Sequence, residues 1–208
     1  MAWSYDVVSW LASLGEWRAW QQAALPFVYG ERVLEIAHGP GHMLLALAQA
    51  GYRVTGLDLS PAMGRITGRR LQRAGLPPAL VRGRAQALPF ATHTFDTVLS
   101  TFPTPFIVER ATIRAIYRVL RPGGRLVVVP EGHLTGRGPL PRFINWLYLI
   151  TGQRAGTFAV DKVQYWPAAS PPWQQYRREM AALGFSLDVK HVQLARSAVT
   201  VAIADKSW

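Results

Sequence analysis

The stretch VLEIAHGPGHMLLALAQAGYRVTGLDLS, residues 33–60, decides how the rest of the chain is read. Val33 to Ile36 begin it with the kind of apolar run that fills a buried parallel strand. Gly39 and Gly41 interrupt that run, and a segment with helical spacing of apolar residues follows. Residues 53–58 form a second β-prone run that ends on an acid, Asp58. Strand, tight turn, helix and strand make one crossover unit, with the turn placed where a helix N-terminus offers free backbone N–H groups. One position is unusual. Ala37 stands where such a turn would carry its first glycine, and His38 follows it.

Ala is the smallest residue with a Cβ, so the turn remains workable provided that Ala37 keeps a negative φ. A dinucleotide loop of the form G-x-G-x-x-G would need a glycine at position 44, and Leu44 occupies it. Glu35 instead precedes Ala37 by two residues, giving E-x-A-x-G-x-G. Asp58 is placed to accept hydrogen bonds from ribose hydroxyls, but an acid there serves a nicotinamide cofactor equally well. Glu35 and Leu44 carry the discrimination. His38 and His42 are read as residues the loop tolerates rather than as ligands or bases.

Working outward, the pattern predicts strands at 32–37, 53–58, 79–83, 95–100 and 124–130, with helices at 41–50, 61–74 and 108–120 between them. Ser60 and Pro61 form a cap and a first position for the second of these helices, and RPGG at 121–124 ends the third. A helix near 172–183 and a hairpin of strands near 185–193 and 197–204 complete the series. The expectation is an α/β fold: one Rossmann-like, seven-stranded, mainly parallel sheet with helices on both faces, in a single domain over 1–208. Residues 1–30 are expected to form a helical cover, with Trp3, Trp10 and Trp17 along one stripe. Residues 131–171, rich in Pro, Gly and aromatics, break the alternation and read as an insertion over the substrate.

Composition narrows the function classes. The 208 residues contain no Cys, which excludes disulfides, thiolate metal sites and cysteine nucleophiles. No carboxylate cluster has metal-ligand spacing, so no metal is expected. The longest apolar run, 143–150, is far below the roughly 20 residues of a membrane span. The first residues lack a basic leader, and a cytoplasmic protein is expected. The net charge is +11, and all but three of the 23 basic residues are Arg. Arg65, Arg69 and Arg73 share one helix face and Arg110, Arg114 and Arg118 another, but the expected fold puts these helices on opposite sides of the sheet. They cannot form one groove, and nucleic acid is not the expected partner. Basic surface with aromatic segments suits peripheral contact with an anionic membrane instead.

Between about residues 31 and 130 the chain resembles the class I S-adenosylmethionine-dependent methyltransferases, in particular the group that includes quinone-biosynthesis enzymes. VLEIAHGPG resembles the first motif of that family, VTGLDLSPAM the second, GRAQALPFATHTFDTVLS the third and fourth, and VLRPGGRLVVV the post-motif hairpin and fifth strand. The resemblance implies S-adenosylmethionine as cofactor, with S-adenosylhomocysteine as product. It implies cofactor contacts at Glu35, Ala37, Gly39, Gly41, Asp58, Leu59, Met63, Ala85, Gln86 and Ser100. Arg84 departs from the pattern, standing where family members carry an acid near the adenine amino group. A guanidinium cannot accept that hydrogen bond, so adenine recognition falls to Gln86, to backbone groups or to stacking.

Methyl transfer from a sulfonium asks the protein to align two reactants and exclude water. Where the acceptor needs a general base, His133, beyond the fifth strand, is the candidate, ahead of Glu131. Phe102, Phe106 and Trp146 are expected to wall the acceptor pocket. The aromatic cover points to a small apolar or amphipathic acceptor, a quinone precursor or a lipid head group. An RNA or protein methyltransferase, and a cofactor-binding protein without catalysis, are the alternatives.

Overall fold

The computed structural model describes residues 15–103, 105–134 and 171–207, with the backbone alone at 133, 134, 171 and 172. Seven strands form one sheet: β1 (Arg32–Ile36), β2 (Arg53–Asp58), β3 (Leu80–Arg82), β4 (Phe95–Thr101), β5 (Leu120–Leu134), β6 (Phe185–Gln193) and β7 (Ser197–Lys206). The order across the sheet is β3-β2-β1-β4-β5-β7-β6. The first five strands pair in parallel, and β7 runs antiparallel to both β5 and β6. Five α-helices accompany them among the described residues: α1 (Trp17–Gln22), α2 (His42–Gln49), α3 (Pro61–Arg73), α4 (Arg110–Val119) and α5 (Pro171–Ala181). The expected architecture is present.

The local signals act as their chemistry requires. Ser60 Oγ accepts from the Met63 N–H and Pro61 opens α3, so two of the features that start this helix sit side by side. Along α4, Ile113, Ile116 and Val119 fall on one buried face, while Arg110 and Arg114 lie on the other. Two apolar layers sandwich the sheet. One gathers α4 and Met180 of α5 against Leu34, Ile36, Val98 and Leu126. The other gathers Trp20 of α1 and Met43 and Leu47 of α2 against Val33, Leu99, Val127 and Val201. α3 lies beside α2, because a Cβ at Gly41 would strike the Thr67 side chain.

Two differences from the sequence expectations have physical causes. β5 does not end near 130 but runs on to Leu134, because antiparallel pairing with β7 extends it: Glu131 faces Thr200 and His133 faces Ala198. Both residues therefore lie within the fifth strand rather than beyond it. The expected cover at 131–171 begins in that strand, and its central part, residues 135–170, lies outside the described residues, as do Trp3, Trp10 and Trp146. Within the described part of the N-terminal cover, Trp20, Ala23 and Ala24 belong to the core. Trp20 is 2% exposed, and Gly132 on β5 admits its ring, since a Cβ there would fall 2.5 Å from Trp20 Cδ2.

Asp96 ties the entry of β1 to the sheet. Its Oδ2 accepts from the N–H groups of Glu31 and Arg32, both at 2.9 Å, and its Oδ1 accepts from Arg121 at 2.7 Å. Burial alone would raise the carboxyl, but the backbone donors at Arg32 and Glu31 and the Arg121 guanidinium outweigh it and hold Asp96 below the usual range. A depressed carboxyl contributes stability above its unfolded value that is lost as pH falls through the folded one. Asp96→Asn should therefore cost about 1.5–3 kcal/mol at neutral pH, because its amide N would face Arg121. Denaturant titrations should show the gap from wild type constant above about pH 5 and shrinking below about pH 4.

Candidate cofactor site

The site forms at the carboxyl ends of β1 and β2, beside the point where the strand order reverses between β1 and β4. Asp58 closes β2 and is the hub of the loop above it. Its Oδ2 accepts from the Gly39 N–H at 2.9 Å and its Oδ1 from the Ser60 N–H at 2.8 Å. The Gly39 carbonyl is held from the other side. Thr67 Oγ1 donates to it at 2.9 Å and His38 Nδ1 lies 2.8 Å away, which makes Nδ1 the protonated ring nitrogen. The Arg70 guanidinium donates to the next carbonyl, that of Pro40. Thr67 and Arg70 are one turn apart on α3, so a single helix face grips the loop.

His38 is thus a structural member of the loop. It is 3% exposed, and burial lowers its pKa despite the raising effects of the Gly39 carbonyl and Asp58, keeping the ring neutral. The close packing that a glycine at 44 would permit is supplied from the opposite element. Leu44 is fully buried, and it is Gly56 on β2 that makes room, for a Cβ there would lie 2.9 Å from His38 Cδ2 and 3.0 Å from Leu44 Cδ2. Nothing in the helix pattern signals this; the small residue at the centre of β2 was the available clue.

Ala37 corrects the sequence reading. Its φ is +56°, in the left-handed region, so the condition of a negative φ is not met. Its N–H donates to the Leu57 carbonyl at 2.7 Å, which carries β1–β2 pairing one residue past the strand and fixes the strained conformation. Gly39 and Gly41 share the sign, at +53° and +77°, and a Cβ at Gly39 would meet nothing within 4 Å. That open face is where a ligand can approach the backbone.

Beneath the loop a cavity of ≈ 280 Å³ is lined by Ile36, Ala37, Leu57, Asp58 and Leu59 on one side and by Gly83 to Gln86 and Phe106 on the other. Leu59 is 56% exposed, an apolar plate open among the described residues. Ala85 to Ala87 form a 3-10 turn, and Arg118 of α4 steadies the residues after it by donating to the carbonyls of Leu88 and Phe90, both at 2.6 Å. One member of the α4 arginine stripe is therefore bound to protein. Glu35 is 1% exposed; burial first, and the Asp58 charge second, push its carboxyl well above the usual range. Its Oε2 has no partner among the described residues.

Other expected site residues are placed differently. Ser100 is fully buried and donates to the Ile36 carbonyl at 2.9 Å, so it braces the ends of β1 and β4 instead of facing the cleft. Met63 lies in the first turn of α3, outside the cavity lining. Phe106 walls the cavity that holds Asp58 and Gln86 rather than a separate acceptor pocket. Phe102, with φ +50°, stacks on Trp17 at 4.0 Å between ring centroids, and α1 thereby covers the end of β4. Glu109, which the sequence reading missed, accepts from Gln86 Nε2 at 2.8 Å. No cluster of metal-ligating side chains occurs among the described residues.

An adenosine group fits this site: an acid at the end of β2 for ribose hydroxyls, an uncovered apolar plate, a short turn across from it, and a glycine backbone open to approach. The buried Oε2 of Glu35, without a partner among the described residues, can accept from a cationic group such as the aminoacyl ammonium of S-adenosylmethionine. These features define a class I methyltransferase cleft. Residues 33–124 match the methyltransferase-domain family. A demethylmenaquinone methyltransferase of Thermus thermophilus is 31% identical over 95% of this chain and 94% of its own length. One from Thermobifida fusca is 37% identical over 68% of this chain, a match that spans 62% of that protein. In fold, a methyltransferase of Thermotoga maritima superposes with a TM-score of 0.64 at 18% identity, covering 99% of this chain and 95% of that one. The chain belongs to the class I S-adenosylmethionine-dependent methyltransferases of the quinone-biosynthesis type.

The left-handed Ala37 makes a specific prediction. An L-residue there carries about 1–2 kcal/mol of strain that glycine escapes, against about 0.4–1 kcal/mol of extra unfolded-state freedom. Ala37→Gly should raise stability by about 0.5–1 kcal/mol in chemical denaturation. Ala37→Val should lower it, since a β-branched residue at positive φ is a steric outlier.

Proposed function

We propose that this chain methylates a ring carbon of a reduced quinone precursor, with S-adenosylmethionine as donor. The observation that carries the reading is the cavity between Asp58 and Gln86, whose lining suits a nucleoside, in a chain matched nearly end to end by a demethylmenaquinone methyltransferase. When bound, the cofactor supplies a methyl group on a sulfonium, a strong electrophile that needs no metal. The chain's part is to hold and align it. Asp58 takes the ribose hydroxyls, for which each carboxylate oxygen keeps a lone pair beyond its bond to Gly39 or Ser60. Leu59 and Phe106 pack on the base, and Glu35 receives the ammonium. Proximity then does most of the work.

An acceptor carbon loses a proton as the new bond forms, and a nearby base eases that loss. We assign this role to His133, supported by its place near the carboxyl end of β5, next to β4, the strand that Phe102 follows. An apolar acceptor is favoured by Trp17 and Phe102, whose stacked rings lie at the end of β4. The arginine stripes of α3 and α4, on opposite faces of the sheet, do not favour an RNA.

Binding and turnover test the proposal separately. Calorimetry should show S-adenosylmethionine binding that Asp58→Ala weakens by about ten- to a hundredfold, the loss expected for a hydrogen bond to a charged group. Incubation with the cofactor and a reduced naphthoquinol lacking its ring methyl should give a ring-methylated product in mass spectrometry. His133→Gln should lower kcat while leaving cofactor affinity unchanged. Cofactor binding with no methylation of any quinol would refute the acceptor; absence of cofactor binding would refute the whole reading.

A further inference from the structure

We infer that Gln86, oriented by Glu109, is the side chain that tells adenine from a 6-oxo purine in this cofactor site. The inference rests on the cofactor reading above. Among the described residues, three that line the cavity carry hydrogen-bonding side chains: Asp58, Arg84 and Gln86. Asp58 closes β2, and both its oxygens are tied to the loop and to the start of α3. Arg84 is exposed and is donor-only. A guanidinium beside the base would favour a purine that presents an oxygen, the opposite of adenine's exocyclic amine. With the remaining lone pairs of Asp58 given to the ribose hydroxyls, Gln86 supplies the side-chain acceptor left for the base.

A free glutamine would not discriminate, because its amide can rotate to present either N–H₂ or C=O. Here the rotation is decided. Nε2 donates to Glu109 Oε2 at 2.8 Å, and a carboxylate can only accept, so the amide nitrogen must face Glu109. That leaves the carbonyl oxygen as the group available to the cavity, where it can accept from an exocyclic amine and would repel a 6-oxo group. The pair is held in place from both ends. Glu109 is the residue at which α4 starts, and Arg118 of the same helix binds the carbonyls of Leu88 and Phe90 that follow the Gln86 turn. Glu109 makes no side-chain cap bond to α4, so its carboxylate is not engaged by the helix end. Glu109 is a positioning residue; Gln86 is the one that would touch the cofactor.

The test compares S-adenosylhomocysteine with S-inosylhomocysteine, which differ only at the purine 6-position, by calorimetry on the full chain. Wild type should prefer the adenosyl form by about ten- to a hundredfold, the scale of one satisfied against one opposed hydrogen bond. Glu109→Ala should bring the two affinities within about threefold. Glu109→Gln, whose amide oxygen can still accept from Gln86, should restore part of the preference. Thermal unfolding of each variant checks that α4 is intact. Full preference retained in Glu109→Ala, or no preference in wild type, would overturn the assignment while leaving the cofactor reading in place. Failure of both nucleosides to bind wild type would overturn the cofactor reading, and this inference with it.

Discussion

The peptide of Gly39 is the point on which the site depends. Its N–H is fixed by Asp58 from β2 and its carbonyl by Thr67 of α3 and by the neighbouring His38 ring, so the loop is gripped through the two adjacent peptide units that meet at one residue. Each donor or acceptor belongs to a different element. The loop's shape therefore reports the packing of β1, β2 and α3 together. A buried polar cluster of this kind is stable only when every member is satisfied, and removing one leaves another unpaired at a cost above its own contribution. The neutral state of His38 belongs to the same logic. A charged imidazolium would keep its donor to Gly39, but at the expense of desolvating a cation under the loop.

Most of the fold was legible because parallel strands buried on both sides write themselves as apolar runs, and helices between them announce their ends. Ser60 and Pro61 start α3 as expected, and Asp58 stands at the end of β2 as its spacing implied. Part of the loop was not legible. The sign of φ at Ala37 depends on the Leu57 carbonyl, a partner twenty residues away in the chain, and residue size gives no information about it. Ser100 has the composition of a ligand contact, yet its hydroxyl is consumed by Ile36. Glu109 was invisible for a similar reason. It is an ordinary acid at a helix start until the fold brings it to Gln86.

On the inference above, the departure from the family pattern at position 84 is offset nearby rather than in place. Sequence comparison by column sees an acid replaced by Arg84. The structure has a negative charge within reach of the same turn, carried by α4 and acting through an amide. On the inference drawn for Gln86, the acceptor that position 84 lacks is supplied by a neighbouring side chain.

The sheet order has a consequence for how the chain is made. Among the described residues β6 pairs with β7 alone, yet β7 follows it in sequence and lies between it and β5. On a ribosome, β1 to β5 can assemble as they emerge, each new strand finding its neighbours already present. β6 then emerges with Phe185 and Val189, both buried in the finished fold, before the strand it pairs with in that fold. It must wait, held near the sheet by α5, until β7 arrives and closes the gap in a single step. During that interval β5 presents an open edge, and the nascent chain is at its most prone to pair with a stranger.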